Sequence, residues 1–173
     1  MKNLIINIFF LLAIISSVLS QTKEEKKQLK AEQEVKESKI TTELINSGSF
    51  QFEATWATTQ KGRRINLIGN PNYLKLNNNE ADVDLPFFGE AFSGSIGISG
   101  DGGIVFKGTP ENYKTDFNDK KQKHTIEFKG KGKNDTYDFS LTVFKNGNAN
   151  LTVNSNNRSS ISYDGKILEL EKK

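Results

Sequence analysis

From Ser49 onward the apolar residues of this chain fall on every second position. In Ser49–Thr59, Phe50, Phe52, Ala54 and Trp56 alternate with Gln51, Glu53 and Thr55. Successive side chains of a strand point to opposite faces, so this period describes a strand with one buried face. The alternation returns at Ile65/Leu67, Leu74/Leu76, Val83/Leu85, Ile104/Phe106, Tyr113/Thr115/Phe117, Ile126/Phe128 and Tyr137/Phe139/Leu141/Val143. Asn146-Gly147 then marks a tight hairpin before Ala149, Leu151 and Val153. Asp164-Gly165 reads as another turn, with Ile167–Leu170 as a last short strand. Nine or ten short strands with frequent turns predict an all-β fold, an antiparallel barrel or barrel-like sandwich of lipocalin-like general shape. No helix pattern interleaves them, which argues against a parallel sheet.

One helix is expected ahead of the strands. Residues 21–47 lack Gly and Pro and are rich in Lys, Glu and Gln. Thr22 and Glu25 have the spacing of a capping box, and Gly48 stands where a left-handed C-terminal cap falls. Leu29, Ile40 and Leu44 share one stripe, so docking is expected through the last two turns, by Ile40, Leu44 and Ile45. Before this helix, Lys2 precedes an apolar run from Leu4 to Ile15, and Val18-Leu19-Ser20 suits a signal peptidase. Residues 1–20 therefore read as a signal peptide, 21–47 as a charged helix and 48–171 as a single antiparallel β domain. The apolar run is short for a span of about 20 residues. The expected product is exported, periplasmic or secreted, with no integral membrane span after cleavage.

Several chemistries are unsupported. The chain has 173 residues, no cysteine and one histidine. A disulfide scaffold, a thiolate metal site and a lipidated N-terminal cysteine are excluded. His124 has the parity of Ile126 and Phe128, as a structural histidine would. Asp82 and Asp84 alternate with Val83 and Leu85, which places them on a solvent face; with Glu90 they are the carboxylates a hydrolase would need. The Gly94–Gly103 stretch has neither the Gly-Lys-Ser/Thr of a phosphate loop nor a following helix. The formal net charge is only +3, and Lys120-Lys121-Gln122-Lys123 reads as a hairpin turn, so no nucleic-acid partner is expected. No cofactor or metal is expected.

Ligand binding remains. Phe50, Phe52, Trp56, Phe106, Phe128, Tyr137 and Phe139 are expected to face one interior. Phe87, Phe88 and Phe92 add rings on a loop, where apolar groups cover a core or line a mouth. The candidate pocket or mouth comprises Trp56, Phe87, Phe88, Phe92, Phe106, Tyr113, Tyr137 and Arg158. The expected function is a non-enzymatic module binding an apolar small molecule or lipid, or an envelope protein. A carboxylate hydrolase and a structural adaptor are the alternatives.

Several spaced segments carry a resemblance. They are Gly62-Arg63-Arg64-Ile65-Asn66-Leu67, Tyr73-Leu74-Lys75, Leu85-Pro86-Phe87-Phe88-Gly89-Glu90-Ala91-Phe92, Gly102-Gly103-Ile104-Val105-Phe106 and Asn112-Tyr113-Lys114. Asp135-Thr136-Tyr137, Asn146-Gly147 and the run from Leu151 to Tyr163 through Arg158-Ser159-Ser160 follow. Over residues 43–168 the chain resembles domain-of-unknown-function family 4251, small exported proteins mainly of Bacteroidetes. The family often has Leu-Pro-Tyr-Phe-Gly-Arg-Ala-Tyr where this chain has phenylalanines and Glu90. The resemblance implies export in a Gram-negative cell and transfers no catalytic residue.

Overall fold

The computed structural model describes residues 2–69, 72–92, 102–133 and 135–170, with side chains of the helix from residue 23 onward. The glycine-rich stretch from Gly94 to Asp101 and the Asn70-Pro71 pair lie outside the described residues. The chain divides into two compact units, Met1–Glu37 and Ser38–Lys173.

The first unit is helical, part of α1 (Lys2–Asn46). The backbone helix does not begin at the Thr22 box. No Gly or Pro lies between Leu4 and Thr22, so nothing there interrupts the hydrogen-bond ladder. Leu29 and Val35 are exposed.

The second unit contains the last turns of α1 and ten strands. These are β1 (Ser49–Thr59), β2 (Arg64–Asn66), β3 (Tyr73–Asn77), β4 (Glu80–Leu85), β5 (Ile104–Gly108), β6 (Glu111–Asn118), β7 (Lys123–Lys131), β8 (Thr136–Phe144), β9 (Asn148–Ser155) and β10 (Ile161–Leu168). All belong to one antiparallel sheet of order β5-β4-β3-β1-β10-β9-β8-β7-β6, with β2 also on β1. The sheet curls into a half-barrel whose concave face is the core. The expected all-β fold preceded by one helix is therefore found. Phe50, Phe52, Leu74, Val83, Ile126, Leu141 and Leu151 are fully buried there. The β8–β9 hairpin turns at Asn146-Gly147 as its residues require, with Gly147 at φ +76°.

Two expectations fail at one place. Asp164-Gly165 is not a turn; β10 runs straight through it. Opposite it, the register shifts between Ala54 and Trp56, which makes a β-bulge in β1. A Cβ at Gly165 would collide with the Glu53 carbonyl oxygen, so glycine admits a close backbone approach rather than a reversal. Buried Asn72 ties the bulge down: its Oδ1 accepts the Ala54 N–H at 2.9 Å. The extra residue flips parity. Ala57 and Thr59 continue the buried row, and Trp56 turns to the outer face opposite Asp164, with the Arg64 guanidinium 4.6 Å from its ring centroid. Trp56 is therefore not an inward residue.

Of the three residues expected to dock the end of α1, Leu44 and Ile45 do so and Ile40 does not. Ile40 is 58% exposed, whereas Thr41 and Ile45 are buried and Leu44 partly so. Gly48 caps the helix at φ +66°, its N–H donating to Ile45 O.

Candidate functional site

One end of the half-barrel is covered by residues 86–92, which follow β4. Three hydrogen bonds to its backbone hold this loop. The Ser159 N–H donates to Glu90 O (2.8 Å) and the Phe92 N–H to Asn157 O (2.8 Å), which together make the Ala91–Arg158 bridge, and the Tyr163 hydroxyl donates to Pro86 O (2.9 Å). The Ser159 hydroxyl accepts the Glu90 N–H at 2.9 Å. Glycine is needed at 89 because a Cβ would strike both that hydroxyl and the Phe87 ring.

Beneath the loop lies a buried ion pair. Arg158 Nε stands 3.4 Å from Asp135 Oδ2, with both side chains almost wholly buried. The guanidinium donates through Nη1 to the carbonyls of Gly102 (3.0 Å) and Gly103 (2.9 Å), while its Nε makes no hydrogen bond among the described residues. Asp135 accepts from the Ser155 hydroxyl (2.6 Å), the Thr136 N–H (2.9 Å) and Asn157 Nδ2 (3.2 Å). The guanidinium sits 5.1 Å from the Phe87 ring centroid and 6.0 Å from that of Tyr137. Burial pushes the Tyr137 phenol above its ordinary value; the Arg158 charge opposes this and Asp135 adds to it. Burial likewise holds Tyr163 protonated. Both charges are engaged by fixed internal partners, so the cluster fastens the loop and the β9–β10 connection and offers no free acid or base.

On the outside of the same loop lies an open pocket of about 510 Å³, lined by Thr59, Gln60, Lys61, Arg63, Phe88, Gly89, Glu90 and Ser159. It joins one half-buried ring to two cations and one carboxylate, and Lys61 and Glu90 form an ion pair across it.

The candidate residues thus separate. Phe87, Tyr137 and Arg158 come together, and Phe106 reaches them through Phe139, whose ring lies 6.3 Å from Phe106 and 5.9 Å from Tyr137. Phe88 lines the outer pocket, Phe92 is exposed, Trp56 is on the convex face, and Tyr113 stands on β6 against Phe128 at 6.4 Å. The carboxylates do not converge. Asp82 pairs with Lys107 at 2.9 Å, Asp84 is exposed, and Glu90 pairs with Lys61. Among the described residues no three His, Asp or Glu side chains gather as metal ligands. His124 is buried beside Thr42 (3.5 Å) and Phe117 (ring centroids 4.5 Å apart), and desolvation lowers its pKa.

Alternation alone misses Asp135, Ser155, Asn157 and Ser159. Their signal is proximity in sequence to Tyr137 and Arg158 within the spaced segments, not any period. The sequence matches the family described as domain of unknown function (DUF4251) over residues 23–167. The chain belongs to the DUF4251 family. A solved DUF4251 family protein from Bacteroides eggerthii DSM 20697 is similar, with a TM-score of 0.59 and 22% identity, over 77% of this chain and 87% of that one. At that identity the likeness shows the shared fold. No curated protein matches the sequence. Among the described residues no helix of this DUF4251 chain is long and apolar enough to cross a membrane.

Proposed function

We propose that this DUF4251 protein is an exported, non-enzymatic binding module, and that the pocket outside the 86–92 loop takes an apolar small molecule bearing an anionic group. The observation that carries the reading is the placement of Phe88 beside Lys61 and Arg63 on a loop pinned from below. From β5 to β7 the concave face is packed by the chain's own rings and aliphatic groups, which favours a ligand at the rim. About 510 Å³ lies within the usual range of small-ligand sites. Phe88 offers apolar contact, and Arg63 offers a partner to a carboxylate or phosphate while Lys61 is held by Glu90. The short apolar run before Ser20 supports export. Scattered, individually engaged carboxylates favour binding over hydrolysis.

Titration with a fluorescent fatty-acid carboxylate tests this. Saturable one-to-one binding is expected, weakened about tenfold or more by Phe88→Ala through lost apolar contact. Absence of saturable binding, or binding indifferent to both Phe88→Ala and Arg63→Glu, overturns it.

A further inference from the structure

The strand order ends at β6, and this edge is bare. Seven of its eight residues are exposed and the eighth, Asn118, is intermediate. Its concave-side residues include Tyr113, which is 42% exposed, and Phe117, which is 47% exposed and opposite His124. Its convex-side residues include Lys114 and Asp116, opposite Glu127 and Thr125. Neither Lys114 nor Asp116 makes an ion pair among the described residues. An edge of this kind presents a row of unpaired N–H and C=O groups to another strand.

We infer that β6 pairs antiparallel with β6 of a second copy of this chain, across a two-fold axis at Thr115. A two-fold axis normal to the sheet keeps concave side on concave side, and directly opposed residues of antiparallel strands share a face. The axis must therefore pass through a residue position. At Thr115, Lys114 faces the partner's Asp116 and Asp116 faces the partner's Lys114. On the concave side Tyr113 faces the partner's Phe117, and the same pair recurs by symmetry. Moving the axis to Lys114 or to Asp116 sets two like charges directly against each other, which is destabilising. Thus one register alone satisfies both the charges and the rings. The irregularity between Glu111 and Lys114 ends the pairing at Tyr113, so it spans Tyr113 to Phe117 and stops short of Glu111. The other end of the sheet offers no equivalent, because the β5 ring Phe106 is buried against Gly130.

Sedimentation velocity on the protein as its host processes it tests the pairing. The expected result is a dimer whose dissociation constant rises with salt, since the paired charges are exposed. Lys114→Asp and Asp116→Lys should each weaken it about tenfold or more, by opposing like charges across the axis. The double variant should return to within a few-fold of the parent, because reversal restores both pairs. Parent-like circular dichroism of each variant, measured at a dilution where all are monomeric, would show that it is folded. A monomer at about 100 μM, indifference to the single reversals, or a double variant as weak as the singles overturns the inference.

Discussion

The two ends of the strand order, β5 and β6, carry the same alternating pattern and meet opposite fates. On β5, Ile104 and Phe106 are buried; on β6, Tyr113 and Phe117 are nearly half exposed. The difference is not in the residues, since both strands offer aromatic side chains on the concave face. It lies in what the sheet curls against. Phe106 reaches across to β7, where Gly130 leaves its ring a seat, and its ring lies near that of Phe139. The nearby carbonyls of Gly102 and Gly103 are tied to Arg158. β6 lies outside β7 in the strand order, beyond the place where β5 closes down, so no strand faces its rings. A half-barrel sealed along one flank and open along the other is the consequence.

The contrast breaks most severely at Arg158. Arg158→Met leaves Asp135 buried without its cation and frees two carbonyls. A loss of about 3–5 kcal/mol is expected in urea unfolding. Adding Asp135→Asn should recover part of it, because the stranded charge is then gone. If Arg158→Met were as stable as the parent, the cluster would not be what fastens the sealed flank.

A smaller loss is expected at the seat itself. A Cβ on Gly130 would lie 2.7 Å from the Phe106 ring, so Gly130→Ala should cost about 1–3 kcal/mol by overpacking. Phe106→Leu in the same chain should relieve the clash and narrow the loss. Independent, additive costs in that pair would show that the two residues do not meet.

The smallest effect belongs beside the open flank, at His124. Desolvation holds its folded pKa below the ordinary imidazole value near 6.5. The unfolded chain then binds more protons in the window between the two values. Stability is fully present above about pH 6.5 and declines as pH falls through the lower, folded pKa. His124→Gln should flatten this slope between pH 7.5 and pH 5.5 in the denaturation midpoint. An identical slope in the variant would remove His124 as its source.

Much of the fold is legible in the residues themselves. The alternation places Phe50, Phe52, Val83, Leu141 and Leu151 on the buried face, and Asn146-Gly147 locates a hairpin, because both signals are local. Trp56 is not legible in this way. Its parity depends on a bulge in β1, and the bulge depends on the Glu53 carbonyl meeting Gly165, more than a hundred residues later. Gly165 carries the signal, yet a glycine after an aspartate reads first as a turn. Ile40 misleads for a related reason: it lies next to the docked face, and Thr41 fits close to the β8–β9 turn at Gly147.

The candidate site shows the same division. Rings on the 86–92 loop are visible in the sequence, and Arg158 stands out within the spaced segments. Its partners do not, because Asp135 lies twenty-three positions earlier and the Gly102 and Gly103 carbonyls lie further still. By itself the sequence determined the antiparallel strands, their faces and the lack of cysteine or paired-histidine chemistry, since these follow from residue type and near-neighbour period. Only the tertiary structure decided which inward faces became core, where the chain bulged and which charges met. Those outcomes depend on backbone approaches between distant strands, at Gly165 and Gly130 above all, and no local period encodes a distance between them.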